Sequence, residues 1–171
     1  LAGQCEACHA APHVAQERLY LGKGGVGLPQ RSALMHYYHV ECTACHKSPA
    51  AVADSTVSQA HAGGARQACL ACHDVTAQDT VRTWRTTIER LRTHVQASLV
   101  KFERRATPGG ADRHPAAFRL YEEARLNYGM VAADPSASIH NFRYAKDLLE
   151  VSEKKITEAI SLLGASEGGS K

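Results

Sequence analysis

The chain has 171 residues, of which 44% are hydrophobic and only 6% aromatic, and its formal charge is +3 with histidine neutral. That length allows one ordinary domain or two small ones, and so little aromatic material excludes a large core built from side chains alone. No apolar run approaches the roughly 20 residues of a membrane-spanning helix, and no stretch has the makeup of a secretory leader, so a processed mature chain or a fragment is expected.

Residues 1–77 scatter their apolar residues among Gly, Ala, Pro and His. Pro12, the run Gly22-Lys23-Gly24-Gly25-Val26-Gly27, Pro29, Pro49 and Gly63-Gly64 punctuate this half, which predicts short helices and loops. All six cysteines lie here, in three copies of one pattern: Cys5-Glu6-Ala7-Cys8-His9, Cys42-Thr43-Ala44-Cys45-His46 and Cys69-Leu70-Ala71-Cys72-His73. Cys-x-x-Cys-His is the attachment signature of c-type haem, in which two thiols add to the porphyrin vinyl groups and the next residue offers an imidazole to iron. One helical turn puts residues three and four apart on the same face, as that chemistry requires. A zinc ribbon has no use for His after every second cysteine, and three motifs suit tetrahedral sites poorly. A thioredoxin-type pair follows a strand, and no strand pattern precedes these motifs. Structural disulfides would explain the even count but not the repeated His.

Three covalently bound c-type haems are therefore expected, with a location that is periplasmic or extracellular, since thiols are joined to haem on the outer side of the bacterial cytoplasmic membrane. Their macrocycles would stand in for the missing core, so residues 1–77 are not expected to fold without them. Six propionates would bring the ferrous chain to a charge of about −3. The apparent basicity is thus a poor guide to partners, and no nucleic acid is expected. The glycine run leads into Leu28-Pro29 and not into a helix, so a tight backbone path beside a haem is expected in place of a phosphate loop.

From residue 79 the pattern turns helical. Val81, Trp84, Ile88, Leu91, Val95, Leu99, Phe102 and Ala106 recur at steps of three and four, predicting a helix over 79–106 with Asp79 or Thr80 as N-cap, ended by Pro108-Gly109-Gly110. Its Arg82, Arg85, Arg90, Arg92, Lys101, Arg104 and Arg105 read as a solvated face. A second helix is expected from about Pro115 to Val131, with Ala117, Leu120, Tyr121, Ala124, Tyr128 and Val131 on one side and a last turn weakened by Gly129. A third is expected to start with Asp134 as N-cap and Pro135 at the first helical position, and to run through Phe142, Leu149, Ile156, Ile160 and Leu163. The fold class predicted is mainly α, a loop-rich haem-binding segment packed on a C-terminal antiparallel three-helix bundle. The domain organisation predicted is a trihaem-binding segment at 1–77, a bundle at 78–163 and a disordered tail at 164–171.

The motifs assign His9, His46 and His73 as proximal iron ligands, and seven further histidines compete for the sixth positions. His13 sits too close to His9 to reach the far face of the same haem but is well placed for a neighbour. His39, three residues before Cys42, is the next candidate, with His36 and Met35 as competitors in the same stretch. His61 is a further alternative, whereas His94 and His114 read as solvated.

These residues resemble the multihaem cytochrome c group that includes pentahaem nitrite reductase and its octahaem relatives. The resemblance is carried by Cys5 to His13 followed by Gln16, by Leu19-Tyr20-Leu21-Gly22-Lys23-Gly24-Gly25-Val26-Gly27, by Met35 ahead of Cys42, and by His140-Asn141 with Tyr144-Ala145. Members of that group often end in a helical bundle whose last helix carries His-Asn-Pro-x-Tyr-Ala, and the resemblance implies His140 as a distal haem ligand contributed by the bundle. Phe142 stands where proline is usual and Ser138 where glycine is usual. Nitrite reductases of the group mark their catalytic haem with Cys-x-x-Cys-Lys, which is absent here, so the resemblance is to their electron-carrying portions. The expected function is single-electron transfer between redox partner proteins with no catalytic residues. The alternatives are a redox enzyme acting on a small nitrogen or sulfur compound at an open haem, and a haem subunit or fragment of a larger respiratory assembly.

Overall fold

The computed structural model describes residues 14–46, 68–106 and 109–165, and every regular element in them is a helix. In chain order these are α1 (Val14–Leu21), α2 (Leu34–Tyr37), α3 (Cys42–Cys45), α4 (Thr76–Arg105), α5 (Gly110–Arg113), α6 (Pro115–Ala132), α7 (Ala137–His140) and α8 (Phe142–Ala165). No described helix is long and apolar enough to cross a membrane.

The expected stripe of α4 faces inward: Ile88, Leu91, Val95, Leu99 and Phe102 are buried, while its basic residues are exposed except for the half-buried Arg92. Each fully buried aliphatic side chain of this kind contributes about 2 kcal/mol. Phe102 meets Phe118 and stacks on Tyr121 at 4.6 Å, so the end of α4 lies beside the start of α6. Ser152 donates to the Ala124 carbonyl at 3.1 Å and Lys155 pairs with Glu123, which runs α8 back along α6. Trp84 stacks on Phe142 and His94 reaches Glu153, so α4 and α8 ascend together. The result is an up-down-up bundle in which consecutive long helices are antiparallel.

The N-terminal segment closes one end of this bundle and shares its core, since Leu19 of α1 is fully buried in the same apolar cluster. Two polar side chains of the bundle clamp it. Asn127 of α6 accepts from the Val26 N–H at 2.7 Å and donates to the Val26 carbonyl at 2.9 Å, and the Tyr144 hydroxyl of α8 accepts from the Gly25 N–H at 2.8 Å. This contact explains Gly25, where an added Cβ would lie 2.6 Å from Leu148, Leu28 and the Tyr144 hydroxyl. The glycine run follows a tight path pressed against α6 and α8.

Several boundaries differ from expectation. Helix α4 begins at Thr76 and not at 79, because the Asp74 carboxylate accepts from both the backbone N–H and the hydroxyl of Thr76. These bonds hold the Asp74 carboxyl below its usual range, and Asp79 sits in the first turn, where its charge favours the helix dipole. The segment boundary expected at 77 thus falls inside a helical turn. Helix α6 runs to Ala132 and not 131. The third expected helix is two: α7 stops at His140, Asn141 leaves helical geometry (φ −160°, ψ 83°), and α8 starts at Phe142. Asn141 is the N-cap of α8, its Oδ1 accepting from the Tyr144 N–H at 3.2 Å. The role expected for Asp134 and Pro135 as the start of the long helix is thereby overturned. Finally, Gly164 and Ala165 belong to α8 and not to a tail, and residues 166–171 lie outside the described residues.

Candidate haem-binding site

The second and third cysteine motifs fold alike. The His46 N–H donates to the Cys42 carbonyl at 2.8 Å, and the His73 N–H donates to the Cys69 carbonyl at 2.8 Å. Each motif is therefore one closed helical turn, which presents its two thiols and its imidazole from a single unit. Cys42, Cys45 and Cys72 are exposed, Cys69 is half-buried, and none of the four is in a disulfide. Burial pushes the Cys45 thiol up, and the nearby thiols of Cys69, Cys72 and Cys42 push it further, so the two motifs are neighbours in space. Among the described residues no three His, Cys, Asp or Glu side chains converge as a metal ion would need.

Tyr20 ties α1 to the second motif. Its hydroxyl donates to the Val40 carbonyl, and burial, with the Cys42 and Cys45 thiols adding to it, pushes its pKa up to about 12. The same ring meets His36 edge-on at 5.5 Å.

The His46 ring lies 6.2 Å from the ring of His140, centre to centre, with the planes tilted by 44°. Motif and bundle thus meet at these two imidazoles. His140 Nδ1 is 2.6 Å from Asp134 Oδ2, and the Asp134 side chain is 1% exposed against 20% for His140. The other carboxylate oxygen of Asp134 accepts from the Ser136 N–H at 2.9 Å. With Nδ1 engaged, Nε2 is the nitrogen His140 has left to offer a metal, an arrangement that recurs among metal-ligating histidines. Asn141, next in the chain, donates to the carbonyls of Leu19 at 3.0 Å and Arg31 at 2.6 Å, which fixes the bundle segment against α1 and its loop.

His39 is exposed and has φ +58°, the one positive value among the described non-glycine residues. It ends α2 in a Schellman turn: the His39 N–H donates to the His36 carbonyl and the Val40 N–H to the Met35 carbonyl. Helix α1 ends the same way, with Gly22 (φ +63°) in the slot that His39 fills in α2. Glycine is the cheaper residue there, so His39→Gly is expected to keep the turn. If His39 is a distal ligand, the haem-loaded variant gains a high-spin fraction in its optical spectrum; an unchanged spectrum assigns the role to another residue.

His36 and Met35 are half-buried. His94, expected to be solvated, is 59% exposed but lies 3.1 Å from Glu153. His114 stands just before α6. Cys5, Cys8, His9, His13 and His61 lie outside the described residues.

The described residues fit a large apolar group. Of the eight exposed large hydrophobic residues, Leu34, Tyr37, Tyr38, Leu70 and Val75 flank the second and third motifs, and only Val100, Leu126 and Leu162 lie on the bundle. The motif thiols and His46 are exposed beside them. No family model, curated protein or solved structure matches the chain.

Sequence reasoning missed Asp134 as the partner of His140, since a separation of six residues matches no helical register. It also missed the anchoring roles of Asn127, Asn141 and Tyr144. For Asn141 the signal was its place directly after His140.

Proposed function

We propose that the chain is a trihaem c-type cytochrome that passes single electrons between redox partner proteins on the outer side of a membrane. The reading begins with six cysteines that all fall in three attachment motifs. The observation that carries it furthest is the 6.2 Å separation of the His46 and His140 rings. Two imidazoles on opposite sides of one metal have ring centres about 6 Å apart, with about 2 Å from metal to nitrogen and about 1 Å more to each ring centre. His46 and His140 would hold one haem, Cys42 and Cys45 would tether it, and Cys69, Cys72 and His73 would hold its neighbour.

A bound haem supplies reversible one-electron chemistry at iron. The protein's part is to hold both axial nitrogens, exclude water and keep the macrocycles close. An iron with both axial positions filled has no place for a substrate, which favours a carrier over an enzyme. The likeness to the electron-carrying portions of the multihaem cytochrome c group, with His140-Asn141 and Tyr144-Ala145 in register, supports the same reading.

Purified protein is expected to give three haems per chain by pyridine haemochrome assay and by mass, all low spin, with no new species on adding cyanide or nitrite. Pigment extractable into acidified organic solvent, or a colourless protein, overturns the reading. A haem that binds those ligands overturns the carrier role in favour of an enzyme.

A further inference from the structure

Asp134 carries a carboxylate at the end of α6 with 1% of its side chain exposed. A charge at that depth is costly unless it is paired and hydrogen-bonded. Both oxygens are used: Oδ1 accepts from the Ser136 N–H at 2.9 Å, and Oδ2 meets His140 Nδ1 at 2.6 Å. Among the described residues the His140 ring is its ion-pair partner, and no Lys or Arg shares it. The Asp134 N–H is itself held by the Val131 carbonyl at 3.3 Å, which ties the residue to the last turn of α6.

We propose that Asp134 is a positioning residue that fixes the tautomer of His140 and lowers the reduction potential of the haem His140 ligates. This rests on His140 being an axial ligand. Iron takes Nε2, so Nδ1 must carry the proton, and that proton is donated to a buried anion. The donation increases electron density on the ring, which stabilises ferric over ferrous iron. The two oxidation states differ by one positive charge, and a buried negative charge beside the ligand favours the more positive one. The haem between His46 and His140 is thereby set apart from any whose ligands donate to neutral acceptors. A carboxylate kept only to steady the turn before α7 would not shift a potential.

The test is a redox titration, followed optically, of the haem-loaded protein and its Asp134→Asn variant. Asparagine keeps a neutral acceptor for Nδ1–H while removing the charge. The expected result is three haems, all low spin, with one midpoint potential raised by about 59 mV or more, tenfold in the ferrous-to-ferric ratio for one electron, and the other two unmoved. A folded variant with all three potentials unchanged overturns the proposal. If the variant does not accumulate with its haems, proton NMR of the wild-type ferric protein decides. A hyperfine-shifted ring N–H that exchanges slowly in D2O supports the proposal, and its absence overturns it. A His140→Ala control separates the two levels of inference: a wholly low-spin spectrum in that variant removes the ligand reading itself, whereas a new high-spin haem leaves that reading intact whatever Asp134→Asn does.

Discussion

Asn141→Ala is expected to cost the folded protein about 3 kcal/mol. The side chain is buried and makes three hydrogen bonds that alanine cannot replace. Two run from its Nδ2 to the carbonyls of Leu19 and Arg31, more than 100 residues away in sequence, and the third caps α8 at the Tyr144 N–H. Losing the cap accounts for about 1 kcal/mol, and stranding carbonyls in the interior for the rest. The variant also frees the break between α7 and α8, so His140 loses its fixed approach to His46. Guanidinium unfolding of the haem-loaded protein, followed by helical circular dichroism, measures the loss. A change below about 0.5 kcal/mol, the level of an ordinary surface substitution, would show that water replaces these contacts.

With the three proposed haems in place, His140→Ala is expected to convert one of them from six-coordinate low spin to five-coordinate high spin, and no tether is lost because the cysteines are untouched. The effect is large because a sixth ligand is present or absent, not weakened. Added imidazole should restore the low-spin spectrum by filling the space the ring leaves. Because the variant leaves the buried Asp134 carboxylate without its ion-pair partner, the helices should also unfold at a lower denaturant concentration than in the wild type. A spectrum that stays low spin throughout gives the axial role to another residue, with His36, His39, Met35 and His61 the candidates.

The bundle was legible because its signal is local and periodic. Ile88, Leu91, Val95, Leu99 and Phe102 repeat at helical steps and all are buried. Asp134-Pro135 signalled the start of the third long helix, but it lies in the turn between α6 and α7. What that signal hid is that the turn belongs to a one-turn helix, α7, and that the long helix waits for Asn141. The break is enforced by carbonyls at Leu19 and Arg31, and no periodicity reports contacts so distant in sequence. Phe142, where the resembled group has proline, is the first residue of α8, a position that accepts proline since its N–H needs no helical partner. The start of α4 was missed for a different reason: Asp79 looks like a cap, but Asp74 captures the Thr76 N–H earlier. In the site, the helical turns at Cys42–His46 and Cys69–His73 could be read from spacing alone. The Asp134–His140 pair and the left-handed His39 arise from backbone geometry that composition does not encode.

The influence of the Cys69 and Cys72 thiols on Cys45 bears on how the proposed haems would be attached. In an oxidising compartment adjacent thiols exchange readily into disulfides, and a bridge between two motifs would withdraw a sulfur from each. Under the proposed function, the tetrapyrroles would have to be joined before such a bridge forms, or the sulfurs kept reduced until then.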